Sequence, residues 1–196
     1  MLTELSQTDD AAVIRRSIAE PHLFTLVYER HAAALHRYAA RRIGPDAADD
    51  VVAETFLAAF RRRNRYDLSR PAAGPWLYGI ASNLIARHRR AEVRMYRAYA
   101  RTGVDPLPGS VPQADVEAEV DARVDAAGHR PALAGALARL AARDRDVLLL
   151  IAWGELSYNE VAQALGIPVG TVRSRLNRAR RQVQAALATT KGDHDG

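Results

Sequence analysis

Apolar residues recur along most of this chain at steps of three and four, the period of a helix with one buried face. From about Pro21 to Ile43 the recurring positions are Leu23, Leu26, Val27, Leu35 and Tyr38. Gly44-Pro45 interrupts the pattern. Asp46 is then placed to cap a second helix whose apolar side is Val51, Val52, Phe56, Leu57 and Phe60. A turn-rich loop, Asp67 to Pro75, precedes a third helix expected from Trp76 to Arg90. On it Trp76, Ile80 and Leu84 turn inward, with Leu77 as a further candidate, while Asn83, Arg87, Arg90 and Arg94 line another face. No stretch of any length alternates with the period of a strand, so the chain is expected to be all-α.

The clearest local pattern lies between Ser157 and Gln184. Ser157 and Glu160 have the spacing of a capping box, Gly166 sits where that helix should stop, and Pro168 presets φ for the next one. Val172, Leu176, Ala179 and Val183 then share one buried face. Arg173, Ser174, Asn177, Arg178 and Arg181 occupy the outer positions. This is a helix-turn-helix whose second helix offers Arg and Asn to an anionic partner, most simply a DNA major groove.

Charge divides the chain. Residues 1–100 carry 16 basic against 11 acidic side chains, residues 101–130 carry 3 against 6, and residues 131–196 carry 9 against 6. The middle segment also holds Pro106, Pro108, Pro112, Gly103 and Gly109 and few large apolar groups, so it reads as a flexible acidic linker between two small basic helical domains. Of the 28 basic residues all but one are Arg, whose planar fork suits phosphates and guanine edges. The chain has no cysteine, which excludes disulfides and thiolate chemistry. No apolar run approaches the ~20 residues that span a bilayer, and the first twenty residues resemble neither a signal nor a transit peptide. A soluble, cytoplasmic, nucleoid-associated protein without membrane insertion is expected.

Aromatic residues beside Arg and Asn, next to a loop, supply what holding an unpaired base needs: stacking, amide hydrogen bonds and phosphate neutralisation. Catalysis has no such support. No phosphate-cradling loop or zinc-binding helix motif is present, His31 and His36 lie on different helical faces, and the other histidines lack partners at ligand spacing. No metal, cofactor or small-molecule substrate is expected.

Three segments together, Asp46 to Phe56, Pro75 to Asn83 and Gly166 to Arg180, resemble a bacterial RNA polymerase sigma factor of the sigma-70 family. The similarity is to the compact extracytoplasmic-function group, over about residues 20–100 and 131–188. The resemblance implies a sigma2-like helical bundle over residues 1–100, a linker at 101–130, a sigma4-like helix-turn-helix domain at 131–190 and a disordered tail at 191–196. It implies a transcription initiation factor that binds core RNA polymerase, recognises −35 and −10 promoter elements and promotes melting, itself under an anti-sigma factor. Asp46, Asp49, Asp50 and Glu54 would dock the polymerase, with one departure at Ala53, where the family often carries Gln. Asn83, Tyr66, Asp67, Leu68, Ser69 and Trp76 would capture the single-stranded −10 element, and Arg87, Arg89 and Arg90 would hold the adjoining backbone. Arg173, Ser174, Asn177 and Arg178 would enter the −35 major groove, with Arg175, Arg180 and Arg181 on phosphates. Two other readings stay open on the residues alone: a stand-alone helix-turn-helix regulator of duplex DNA, and a helical adaptor that docks proteins through the acidic face.

Overall fold

A computed structural model describes residues 8–102 and 131–192. Residues 103–130 of the expected linker and 193–196 of the expected tail lie outside the described residues. Among those described there is no strand.

Helix α1, Asp10–Ser17, begins the first unit. Asp9 caps it by accepting the Ala12 N–H at 2.7 Å. The sequence reading had no helix here. A 3₁₀ turn, Pro21–Phe24, leads into α2, Thr25–Ile43, and then α3, Pro45–Arg62. The junction between α2 and α3 is Gly44, at φ +88°. Its N–H closes α2 on Ala40 O, while its own carbonyl accepts the Ala48 N–H. Gly44 therefore caps α3 with Pro45 in the first turn, and Asp46 makes no side-chain cap. After a short turn at Arg63–Arg65 and a loop comes α4, Gly74–Ile85. The expected run to Arg90 breaks at a 3₁₀ turn, Ala86–His88, and restarts as α5, Arg89–Thr102.

These helices share one core. Val27, Leu35 and Tyr38 of α2 meet Val51, Val52, Phe56 and Ala59 of α3 and Leu77, Tyr78, Ala81 and Ile85 of α4. Tyr38 and Tyr78 pack edge to face with centroids 5.1 Å apart. The buried stripe of α4 is thus Leu77, Ala81 and Ile85; Trp76, Ile80 and Leu84, expected inward, are only partly buried. Leu57 also departs from expectation and stands 48% exposed, one step off the face that buries Phe56.

The second unit holds α6 (residues 131–139), α7 (Ala142–Ala152), α8 (Tyr158–Leu165) and α9 (Val169–Gly192). The helix-turn-helix forms as the sequence spells it. Ser157 N–H donates to Glu160 Oε2 at 2.8 Å, and the Glu160 N–H returns to Ser157 Oγ at 3.3 Å. Gly166 ends α8 at φ +62°. Val172, Leu176 and Ala179 are buried and Val183 half-buried, against Val147, Leu149, Leu150 and Val161.

Four charged residues join the two units. Arg42 of α2 donates to Glu92 of α5 at 2.7 Å and to Asp146 of α7 at 2.6 Å, and Arg145 of α7 donates to the second Glu92 oxygen at 2.9 Å. Arg42, Glu92 and Arg145 are each about 2% exposed. Arg145 also donates to the carbonyls of Leu137 and Leu140, and Arg42 to the Tyr38 hydroxyl. Nearby, α8 lies so close over α4 that a Cβ at Gly79 would collide with the Ala164 carbonyl oxygen. No helix among the described residues is long and apolar enough to cross a membrane.

Removing one member of such a cluster strands the others in a dry environment. Glu92→Ala leaves the buried Arg145 without a carboxylate partner and Arg42 with Asp146 alone, and is expected to destabilise the protein by about 3–5 kcal/mol. Replacing Arg42, Glu92 and Arg145 together by apolar residues of similar volume should restore most of that loss. Chemical denaturation of both variants checks the contrast, and equal stabilities would contradict it.

Candidate nucleic-acid interface

The loop between Tyr66 and Gly74 is organised by its own side chains. Asp67 accepts the Ser69 N–H at 3.1 Å, the Ser69 hydroxyl at 2.7 Å and Arg70 Nε at 2.8 Å. The bonds from Ser69 and Arg70 hold the Asp67 carboxyl at about 2, so it stays ionised. The Tyr66 hydroxyl reaches Arg70 O at 2.8 Å and Ala72 O at 2.9 Å, and burial pushes its pKa up to about 12. Its ring lies tilted against Trp76 at 4.9 Å.

This loop and α4 bound a cleft of about 370 Å³. Tyr66, Asp67, Trp76 and Asn83 line it, with Asn83 exposed at its edge. Leu68 and Ser69 share the loop but face solvent at its tip, outside the cleft lining. Three further lining residues, Arg62, Arg65 and Arg70, had gone unassigned. The signal for Arg62 and Arg65 was the basic run from Arg61 to Arg65, which alone looks like any solvated charge run, and Arg70 lies in the turn-rich loop. The far wall is Gln163 and Ala164 of α8.

Continuing along the surface, a second cleft is lined by Arg87, Arg89, Arg90, Arg94 and Arg97. The turn at Ala86–His88 brings these side chains together across the α4–α5 junction. Arg87 also lies 3.6 Å from Glu54 of α3.

On α9 the expected outer residues Arg173, Ser174, Asn177, Arg178, Arg180 and Arg181 are all exposed, and Arg175 is half-buried. Ser174, Asn177, Arg178, Arg180 and Arg181 line one shallow surface; Arg175 lines an adjoining one with Arg89 and Arg143, and Ser174 and Arg178 border both. Ser174 Oγ donates to Thr171 O at 3.0 Å. Arg178 Nη1 donates to both oxygens of Asp144 at 3.2 Å, with Arg178 54% exposed and Asp144 2%. Asp144 escaped the sequence reading because it sits in the alternating run Arg143-Asp-Arg-Asp146.

Comparison with known proteins bears on all of these surfaces. The family model described as Sigma-70 region 2 matches residues 27–95, and that described as Sigma-70, region 4 matches residues 130–183. The chain belongs to the sigma-70 family. Its relatives include the ECF RNA polymerase sigma factor SigL of Mycobacterium tuberculosis, 36% identical over 90% of this chain and 96% of the relative. Another is the RNA polymerase sigma factor NccH of Alcaligenes xylosoxydans xylosoxydans, 33% identical over 93% of this chain and 96% of the relative. These place the protein in the extracytoplasmic-function group. Among solved structures, CnrH in complex with the cytosolic domain of CnrY has a TM-score of 0.64 at 26% identity, over 92% of this chain and 97% of that one. The sigma factor RpoE with the anti-sigma factor NepR, from Bartonella quintana, shares the fold at a TM-score of 0.57 and 22% identity, over 84% of this chain and 96% of that one.

The acidic face of this sigma factor is open to solvent. Asp46, Asp49, Asp50 and Glu54 are all exposed on α3, as is Ala53. Asp49 meets His36 at 3.1 Å and Glu54 meets Arg87, so the carboxylates sit among surface pairs that solvent screens. A basic partner could displace both contacts at little cost. If this face is a docking surface, Asp50→Lys with Glu54→Lys should reduce co-purification with core RNA polymerase at least about tenfold, since like charges would then oppose a basic partner. The melting temperature should stay close to wild type. Undiminished co-purification would remove the face from consideration.

Proposed function

We propose that this sigma factor divides promoter recognition between its two helical units, with residues 1–100 docking core RNA polymerase and taking the −10 element and residues 131–190 reading the −35 element. The observation that carries the reading is the cleft at Asn83. An amide that both donates and accepts stands there beside Trp76, Asp67 and three arginines. That set suits an extruded base with its phosphate better than a base edge in an intact groove. Asp46, Asp49, Asp50 and Glu54 dock the polymerase. Arg87, Arg89 and Arg90 hold the backbone next to the captured base. Tyr66 braces the loop from beneath, while Leu68 and Ser69 at its tip approach the strand.

Arg173, Ser174, Asn177 and Arg178 form the base-reading face of α9, with Arg175, Arg180 and Arg181 on phosphates. Gln163 and Ala164 close one side of the Asn83 cleft, so α8 withdraws from α4 before a nucleotide enters. Docking on the polymerase supplies the energy for this, because holding two modest DNA-binding surfaces on one scaffold makes the second contact effectively intramolecular. The protein carries out no catalysis of its own and acts in the cytoplasm, at the nucleoid. An anti-sigma protein would oppose it; support comes from the similar RpoE, whose structure holds the anti-sigma factor NepR.

Reconstitution with core polymerase tests both surfaces. Asn83→Ala should leave upstream duplex binding unchanged, reduce permanganate-reactive thymines in the open complex and blunt discrimination at one downstream position. Opening and discrimination at wild-type level would return Asn83 to the status of a solvated helix residue.

On the duplex side, Arg178→Ala should cost about 1–3 kcal/mol and relax base preference at one upstream position, whereas Arg175→Ala should weaken all sequences alike. Binding-site selection with each variant checks this. Matching sequence profiles would mean the reading face of α9 is misassigned.

A further inference from the structure

The short helix α1 lies wholly outside the stretch matched by the sigma-70 region 2 model, which begins at residue 27. Its Asp10 is nevertheless among the few buried charged residues of the first unit. The direction of its bonds is the informative point. One carboxylate oxygen accepts the Ala73 N–H at 2.8 Å and His31 Nε2 at 2.7 Å; the other accepts Arg30 Nη1 at 2.8 Å. None of these donors belongs to α1, which already has its own cap in Asp9. The Asp10 backbone N–H adds a bond to Pro71 O at 2.9 Å, and the Ala11 N–H approaches the same oxygen at 3.4 Å. One residue thus grips the far stem of the Tyr66–Gly74 loop at two points.

We propose that Asp10 is a positioning residue for base capture, fixing the loop and the start of α4 so that Trp76 and Asn83 meet in one cleft; this rests on the reading of that cleft as the base-capture site. The loop has two stems and a tip. Asp67 shapes the tip internally, and Tyr66 anchors the near stem through Trp76 and the loop carbonyls. The far stem, Pro71 to Ala73, leads directly into α4, and Asp10 holds it against α2.

Ala73 is fully buried, so an N–H left without the carboxylate would have no solvent to turn to and the stem would shift to find a partner. Burial alone would favour the neutral acid. Hydrogen bonds from His31, the Ala73 N–H and Arg30 outweigh it and hold the carboxyl at about 2, so the clamp stays charged wherever the protein works. Arg30 and His31 orient the carboxylate from α2, and the rigid α2–α3 core fixes them in turn.

The test uses full-length protein assembled with core RNA polymerase and two probes. One is a fork-junction promoter DNA with a single-stranded −10 segment; the other is an upstream duplex that ends before it. Asp10→Ala should lower affinity for the fork-junction DNA about tenfold, the equivalent of one lost buried hydrogen bond, and leave the upstream duplex within about twofold. Asp10→Asn should fall between Asp10→Ala and wild type, because its amide oxygen still accepts from Ala73 but lacks the charge that holds Arg30. Asp9→Ala, which weakens only the cap of α1, should bind both probes as wild type does.

Fork-junction affinity at wild-type level for Asp10→Ala, or an equal loss on both probes, would overturn the proposal. Should Asp10→Ala fail to assemble, Asp10→Asn is read by the same two criteria. Asn83→Ala, run in parallel, separates the failures. If it weakens fork binding while Asp10→Ala does not, only the positioning role falls; if it binds fork DNA as wild type does, the base-capture reading falls and takes this inference with it.

Discussion

The arrangement of this protein turns on two buried guanidinium ions and a buried carboxylate, Arg42, Arg145 and Glu92, joined at their edge by the half-buried Asp146. The cluster ties α2 and α5 of the first unit to α7 of the second, beside the place where α8 packs on α4. The four charges balance, with Asp146 reaching solvent, but desolvating the other three offsets most of their mutual attraction. What the cluster supplies is direction. Apolar helices can slide over one another by a fraction of a turn at little cost. A Glu92 carboxylate shared between Arg42 and Arg145 allows one register, and that register brings α8 onto α4 at Gly79. The cluster is also imperfect: Tyr96 Oη and Arg145 Nε, buried beside it, have no hydrogen-bond partner among the described residues. An interface whose polar groups are partly unsatisfied gives up less on opening than its bonds would suggest. A binding partner therefore has less to overcome in separating the units.

How legible each part was in the sequence depends on how local its determinants are. The helix-turn-helix could be read almost residue by residue, because Ser157, Glu160 and Gly166 act within their own turn and Val172, Leu176 and Ala179 keep a single period. Helix α4 could not. Trp76, Ile80 and Leu84 form one four-residue series and Leu77, Ala81 and Ile85 another, both apolar, because one stripe faces the first unit's core and the other lies toward α8. Periodicity identifies an amphipathic face only where one side meets water. The start of α3 was misplaced by two residues for a different reason: Asp46 has the chemistry of a cap, but Gly44, at positive φ, already occupies the position.

The candidate site was legible as a set of residue types and hidden as a set of distances. Asn83, Trp76 and Asp67 do converge, as the loop-and-helix reading expected. The residues that fix them did not stand out. Asp10 acts on Arg30, His31 and Ala73, at separations of 20, 21 and 63 residues, and no local window contains that relation. Arg42 lies in the pair Arg41-Arg42, and Asp144 and Arg145 in a run of alternating charge, so composition presents them as surface. Burial reverses their meaning.

That reversal sorts the arginines of this chain into two kinds, and Arg178 stands between them. Arg42 and Arg145 are structural, with their donors directed at partners inside the protein. Arg173, Arg180 and Arg181 extend into solvent and would lose rotamer entropy on meeting DNA. Arg178 is exposed along its length, yet one terminal nitrogen is held by the buried Asp144 carboxylate. A guanidinium is a planar fork with five N–H donors. Fixing one edge on Asp144 leaves the other edge free and aims the plane. Such a side chain has already given up much of its freedom before a base arrives, so a bidentate contact there costs less than the same contact from Arg173. On the proposed reading of α9, the buried acid that looks like a neutralising partner on paper instead prepares Arg178 for a base.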